Sequence, residues 1–310
     1  MKLSIKRIKK TILLALPKAG KTSLWLLKII IPVSLVVTLM QYFGLIQYIA
    51  DYLGPLFSHI GLPGEASIVF LTSIFLPLYA PIAIIATLPL SSRDILLLAV
   101  MCLIAHNLFV ETAVQAKTGS KFHMMFILRI VTAFVAAFLL NKILPPADTA
   151  HSSILAETEI LTLTATLYNW LISSLYLILK IVLIITALMI MQAVLQEYKV
   201  LDALSRFFAP LMQVMGLPRS SSFLWLVAHL LGLAYGSAVM IEEVANGKLS
   251  LSDVNLLNYH VAVNHSTLED TLLFVAIGVP FLWMAIPRFI LSIIIVWGVR
   301  FLMRFKKKKQ

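Results

Sequence analysis

Apolar residues run through this chain in long blocks, and its polar residues gather in short clusters between or inside them. Residues 23–43 form a first apolar span. Residues 44–66 are mixed, with Asp51 and Glu65, and read as an amphipathic segment ending in Gly61-Leu62-Pro63-Gly64. Residues 67–90 are apolar but carry Pro77 and Pro81; proline removes a backbone donor, so a kinked or broken helix is predicted. The block 92–116 holds His106, Asn107 and Glu111, and a further span covers 121–142. Residues 143–160 contain Pro145-Pro146 and the acids Asp148, Glu157 and Glu159, and a long span follows at 165–194. Blocks of this length suit bilayer-crossing helices and predict an all-α polytopic membrane protein.

Composition strengthens that reading. Of 310 residues, 60% are hydrophobic and 13% charged, with mean hydropathy +0.96, too little polar surface for a soluble domain. The single cysteine, Cys102, excludes an internal disulfide. The net charge of +11 sits at the ends, because residues 1–22 carry seven Lys/Arg and the stretch from Arg300 carries six, with no acid in either. Basic ends beside apolar spans point to cytoplasmic termini in an inner membrane and to anionic lipid rather than nucleic acid. Residues 1–22 alternate basic and apolar positions, as an interfacial amphipathic helix does; the apolar run Ile12 to Leu16 is short for a cleaved signal and ends at Pro17. Gly20-Lys21-Thr22 matches the end of a P-loop, but the motif's first glycine would fall at Ala15 and no strand precedes it, so a nucleotide site is rejected.

The second half repeats the first. Gly61-Leu62-Pro63 matches Gly216-Leu217-Pro218, and Pro55-Leu56 matches Pro210-Leu211, at an offset of 155. Further on the offset becomes 159 and stays there: Asp94 pairs with Asp253, His106 with His265, Glu111 with Asp270, Thr112 with Thr271, Gly119 with Gly278 and Arg129 with Arg288. The division is a basic segment 1–22, repeat one 23–142, a linker 143–164, repeat two 165–303 and a basic tail 304–310. If every apolar block crossed, Lys117 and Lys121 would lie outside and the acidic linker inside, against the positive-inside rule. About three crossings and one re-entrant helical hairpin per repeat, plus the amphipathic helix, place the charges correctly. An odd number of crossings inverts repeat two relative to repeat one. The segments 92–116 and 251–277 are expected to re-enter, because 251–270 is too polar to face lipid; the breaks are expected at His106/Asn107 and His265/Ser266.

This two-fold pattern of a Gly-Leu-Pro turn, a broken apolar helix and a polar helix break resembles the Gate-domain (nucleoside-recognition domain) superfamily over roughly 23–140 and 170–300. That group includes the membrane part of the ferrous-iron transporter B family, spore maturation membrane proteins and concentrative nucleoside transporters. The resemblance implies a membrane domain of paired repeats. No GTPase segment accompanies it here, a departure from the iron transporter family, and neither GTP control nor a substrate is carried over.

Ionisable groups at membrane depth are costly and usually face a partner or a pathway. The stretch 259–271 concentrates them. His265 and Glu269 form an i, i+4 pair, a usable metal-ligand or proton-relay spacing; the plainer reading is that His265 donates to a carbonyl and Glu269 caps a half-helix. Ser266-Thr267-Leu268-Glu269 fits a capping box, and Asn107 is a good N-cap. His260 and Asn264 repeat the spacing without a counterpart in repeat one. Asp94 and Asp253 read as N-terminal caps. Arg129 and Arg288 either neutralise Glu111 and Asp270 or snorkel. The candidate metal ligands are His106, Glu111, His265, Glu269 and Asp270, with Asn107, Asn264, Ser266 and Thr267 completing a solute-binding set.

The function expected is transport of a small hydrophilic solute through a midplane site between two hairpins. Imidazole and carboxylate suit a divalent cation such as Fe²⁺ or Mn²⁺ better than a nucleoside, which would want stacking surface. The rivals are an organic solute coupled to H⁺ or Na⁺, a non-transporting membrane partner protein, and an intramembrane enzyme using His265, Ser266 and Asp270, of which the enzyme is the weakest. No cofactor is expected, since a bound metal would be substrate. The partners expected are solute or ion and the bilayer, with a homodimer compatible.

Overall fold

The computed structural model describes residues 5–145, 162–246 and 249–307. Most of the expected linker, with Asp148, Glu157 and Glu159, lies outside the described residues. Within them the chain is helical: α1 (Ile5–Tyr42), α2 (Leu45–Ser58), α3 (Ala66–Phe75), α4 (Tyr79–Ile85), α5 (Ser92–Ala105), α6 (Leu108–Lys117) and α7 (Phe122–Ile143), then α8 (Leu163–Glu197), α9 (Val200–Val214), α10 (Ser222–Leu230), α11 (Leu233–Ala245), α12 (Leu251–Val263), α13 (Glu269–Val275) and α14 (Phe281–Lys307). The two sets correspond one for one. Their backbone specials fall at the sequence offsets: φ is 76° at both Gly61 and Gly216, 44° at both Asn107 and Ser266, and 101° and 96° at Gly119 and Gly278. Gly61 also has no room for a side chain, since an added Cβ would meet the Asn141 amide; at Gly216 it would lie 3.1 Å from Val296, on α14, the helix equivalent to that of Asn141.

Four stretches among the described residues are long and apolar enough to cross a bilayer: Ser92–Lys117 (α5 with α6), Phe122–Ile143, Leu163–Leu195 and Phe281–Arg304. A fifth candidate, Ile31–Tyr42 with Leu45–Ser58, bends by 89° at its break, where α2 turns aside. The chain is thus an all-α polytopic membrane protein. Helix α1 runs unbroken across residue 22 despite Pro17 and Pro32. Its packing along α8 outweighs the two lost backbone bonds: Arg7 binds Glu197 at one end and Trp170 donates to Ser34 Oγ at 3.1 Å toward the other.

Those two contacts also fix direction. Arg7 is near the start of α1 and Glu197 at the end of α8, so these equivalent helices are antiparallel. Equivalent helices α7 and α14 are antiparallel as well, since Ala136 to Ile143 line one groove with Leu282 to Ile294. The repeats are therefore inverted.

The segment that folds back differs from the one expected. Arg93, at the start of α5, donates to Gly61 O, Asn141 O and Pro145 O, all at the C-terminal end of α7 or beside it. Lys117, at the end of α6, lies four residues before Lys121, the N-cap of α7. A 22-residue helix spans about 33 Å at ~1.5 Å per residue. So α5 and α6 run through the molecule against α7 and do not turn back, which overturns the expected hairpin at 92–116. Its counterpart α12–α13 likewise starts beside Ser120, whose Oγ donates to Asn255 Oδ1 at 2.7 Å. The elements that fold back are α3–α4 and α10–α11. The first begins after Gly61 and ends before Ser91, both beside Arg93, with its tip at Leu76-Pro77-Leu78. The tip of the second is Leu231-Gly232, with Gly232 at φ 85°.

Ser91 and Asp94 close a reciprocal capping box on α5; on α12 the cap is Ser250, whose Oγ accepts from Asp253 N and donates to Asp253 Oδ2, so the expected capping role is met by Asp94, while Asp253 holds the capping hydroxyl. Helix α5 is buried on every side from Leu96 to Ala105.

Candidate functional site

Each broken helix is interrupted beside a hairpin tip. The freed backbone donors are taken up there: Asn107 N donates to Ser73 O (2.7 Å), Ser266 N to Ala228 O (2.9 Å) and Leu268 N to His229 O (3.4 Å). Non-helical backbone at this depth needs such partners. Two tips and two breaks enclose a cavity of about 230 Å³, lined by Pro77, Leu78, Tyr79, His106, Asn107, Glu111, Leu231, Gly232, Leu233, Ser266, Glu269 and Asp270.

In its lining or directly behind it, four of the expected residues converge from the two repeats. His106 Nε2 is 3.1 Å from Glu111 Oε1 and 3.4 Å from Asp270 Oδ2. His265 Nε2 is 3.2 Å from Glu111 Oε2, and the two imidazole centroids are 5.2 Å apart. Arg129, fully buried, reaches Glu111 Oε2 at 2.5 Å and also donates to His106 O and Ile104 O. Arg288, its equivalent, donates to Val263 O, His265 O and Thr271 Oγ1. The expected pairing of Arg288 with Asp270 is thus replaced by a hydroxyl contact. Aspartate is one methylene shorter than glutamate, so Glu111 touches both histidines while Asp270 touches one.

The histidines are held in one posture. His106 Nδ1 lies 3.0 Å from Cys102 O and His265 Nδ1 lies 2.8 Å from Val261 O. A carbonyl only accepts, so each Nδ1 carries a proton and a neutral ring turns a bare Nε2 to the carboxylates. Lone pair against carboxylate is repulsive until a cation, proton or metal, stands between them. His106, His265 and Asp270 each offer a ligand atom within 4.8 Å of the others.

Other expected residues are placed differently. Glu269 lines the cavity but accepts from Gln192 Nε2 at 3.0 Å and does not join His265. The i, i+4 pairing fails because α12 stops at Val263 and α13 starts at Glu269, so the backbone between them is not helical. The capping box at Ser266–Glu269 also fails: Leu268 is the N-cap of α13, and neither it nor Asn107 caps through its side chain. Asn264 is buried, accepting from Thr267 Oγ1 at 3.0 Å. Sequence reasoning missed Tyr79, Gln192 and the tips themselves, although Pro77 and Gly232 are the breakers that make them.

A membrane protein built of two inverted, broken-helix repeats around a polar cavity is what the fold and site define. A Gate domain family model, described as nucleoside recognition, matches residues 23–122. The chain is 34% identical over 275 residues to the uncharacterized membrane protein YvoD of Bacillus subtilis, covering 87% of this chain and 88% of that one. It belongs to this Gate-domain family of membrane proteins. No solved structure matches.

Proposed function

We propose that this protein carries a small cation, a first-row divalent metal by preference, through the cavity between the two hairpin tips, in the inner membrane with both termini cytoplasmic. The observation that carries the reading is the pair of imidazole Nε2 atoms that face Glu111 and Asp270 from opposite repeats. Imidazole with carboxylate is a common first-row ligand set, and carbonyl-held Nδ1–H groups are the usual support of metal-binding histidine. In formal charge, Glu111, Glu269 and Asp270 outnumber Arg129 and Arg288 by one, which favours a cation. A cavity of about 230 Å³ is below the roughly 300–1,000 Å³ of pockets that enclose larger organic ligands. By the positive-inside rule the end with Lys117, Lys121 and Arg219 faces the cytoplasm; α3–α4 then re-enters from outside and α10–α11 from inside. The enzyme reading lacks support, because His265 engages Val261 O and Glu111 rather than Ser266.

The test is Fe²⁺ and Mn²⁺ uptake into proteoliposomes by wild type, His106→Gln and His265→Gln. For a metal, each change removes a nitrogen ligand and uptake is nearly abolished; uptake also weakens as protons compete at low pH. For an organic solute, the amide costs roughly 0.5–1.5 kcal/mol per neutral bond and leaves measurable flux. Unchanged metal flux in both variants, or wild-type flux no greater than empty liposomes, would move the assignment to the organic solute.

A further inference from the structure

A second pair of buried histidines lies in repeat two beside the cavity. His229 lies in the last turn of α10, and its carbonyl receives Leu268 N at the break; His260 lies on α12, and its carbonyl receives Asn264 N. Their rings are 5.4 Å apart between centroids, with Trp225 4.2 Å from His229 and Phe289 6.0 Å from His260. Both tautomers are set by their surroundings. His229 Nδ1 donates to Trp225 O at 2.8 Å. Ser292 Oγ gives its proton to Phe289 O at 2.7 Å and so accepts from His260 Nε2 at 3.0 Å. What remains is His229 Nε2 and His260 Nδ1, two bare nitrogens that are buried without any hydrogen-bond partner. Repeat one has nothing comparable, since the equivalent positions are Ile74, Met101 and, for Ser292, Ala133.

We propose that His229 and His260 form a second binding site for a nitrogen-seeking first-row divalent cation, present in repeat two alone. It lies between the central cavity and the end of the molecule where α12 begins. Unpartnered buried acceptors are costly, and each ring has its other nitrogen pinned as a donor, the arrangement that presents imidazole to a metal. No carboxylate contacts the pair among the described residues, so the site selects by ligand type and excludes Mg²⁺ and Ca²⁺, which demand oxygen. The apolar counterpart in repeat one makes the surroundings of the cavity unequal on its two sides.

Co²⁺ bound to the purified protein reports this through stoichiometry, d–d absorption and the count of imidazole ligands by X-ray absorption, with excess Mg²⁺ present. Wild type should bind two Co²⁺ per chain. The variant His229→Ile/His260→Met, which installs the residues that repeat one already packs, should bind one, and His106→Gln/His265→Gln should lose the other. A wild type with one Co²⁺ that survives His229→Ile/His260→Met overturns the second site, leaving the central reading intact; a single water bridging the two nitrogens and Trp225 would give that result. One Co²⁺ that survives only the central variant instead removes the transport site and keeps this one. A wild-type count of two Co²⁺ with four imidazole ligands in all supports the second site without any variant; if the double variant fails to fold, the single variants His229→Gln and His260→Gln take its place, and a wild-type count of one that both of them keep overturns the site.

Discussion

At the scale of single residues, the site rests on unequal partners in equivalent places. Arg129 is buried against a carboxylate, while Arg288 is buried against carbonyls and a hydroxyl. Removing one member of a buried ion pair leaves an uncompensated charge and costs about 3–5 kcal/mol, whereas lost neutral acceptors cost about 1–3 kcal/mol. Arg129→Met should therefore lose more stability than Arg288→Met, read as denaturation midpoints of the purified protein in one detergent; equal losses would mean that the Glu111 contact contributes nothing. His106, Glu111, His265 and Asp270 could be found in the sequence because polar residues are sparse in apolar blocks and their spacing repeats. His229 could not. It stands inside Phe223 to Leu231 opposite Ile74, with no repeat to single it out. Glu269 misled because its spacing from His265 presumes a helix that stops at Val263.

At the scale of elements, the repeat, the amphipathic segments and the breaks were legible, and the direction of the chain through each break was not. Composition says that a helix is interrupted at Asn107 or Pro77 but not whether it continues or returns. That is decided by contacts distant in sequence, chiefly Arg93 with Gly61, Asn141 and Pro145 at one end of α7 and Lys117 with α7's start at the other. The charge argument still gave the correct parity, because one folded-back element per repeat leaves an odd number of crossings whichever element it is. Cysteines replacing exposed Ser92 and Lys117 test the assignment in Cys102→Ala protein. With a through-running α5–α6, a membrane-impermeant maleimide labels position 92 only from outside and position 117 only from the cytoplasm. Labelling of both from one side would restore the hairpin at 92–116.

At the scale of the whole molecule, the pseudo-two-fold axis passes between the His106 and His265 rings, 5.2 Å apart, and makes positions 111 and 270 two versions of one place. The longer acid happens to stand in repeat one, where it bridges both histidines and Arg129. If the symmetry is functional, the length difference matters and its side does not. Glu111→Asp withdraws the bridge; losing one charge-assisted contact, about 1.5–3 kcal/mol, should lower metal uptake roughly tenfold to a hundredfold. Adding Asp270→Glu then extends the other acid toward the same two imidazoles, with Arg288 beside it in the place of Arg129. The double variant should recover a large part of the flux that Glu111→Asp loses, measured as initial rates in proteoliposomes at equal protein content. Asp270→Glu alone should change little, because it adds reach where Glu111 already supplies it. A double variant no better than Glu111→Asp would show that repeat one holds a fixed role at the site and that the two-fold relation is architectural only.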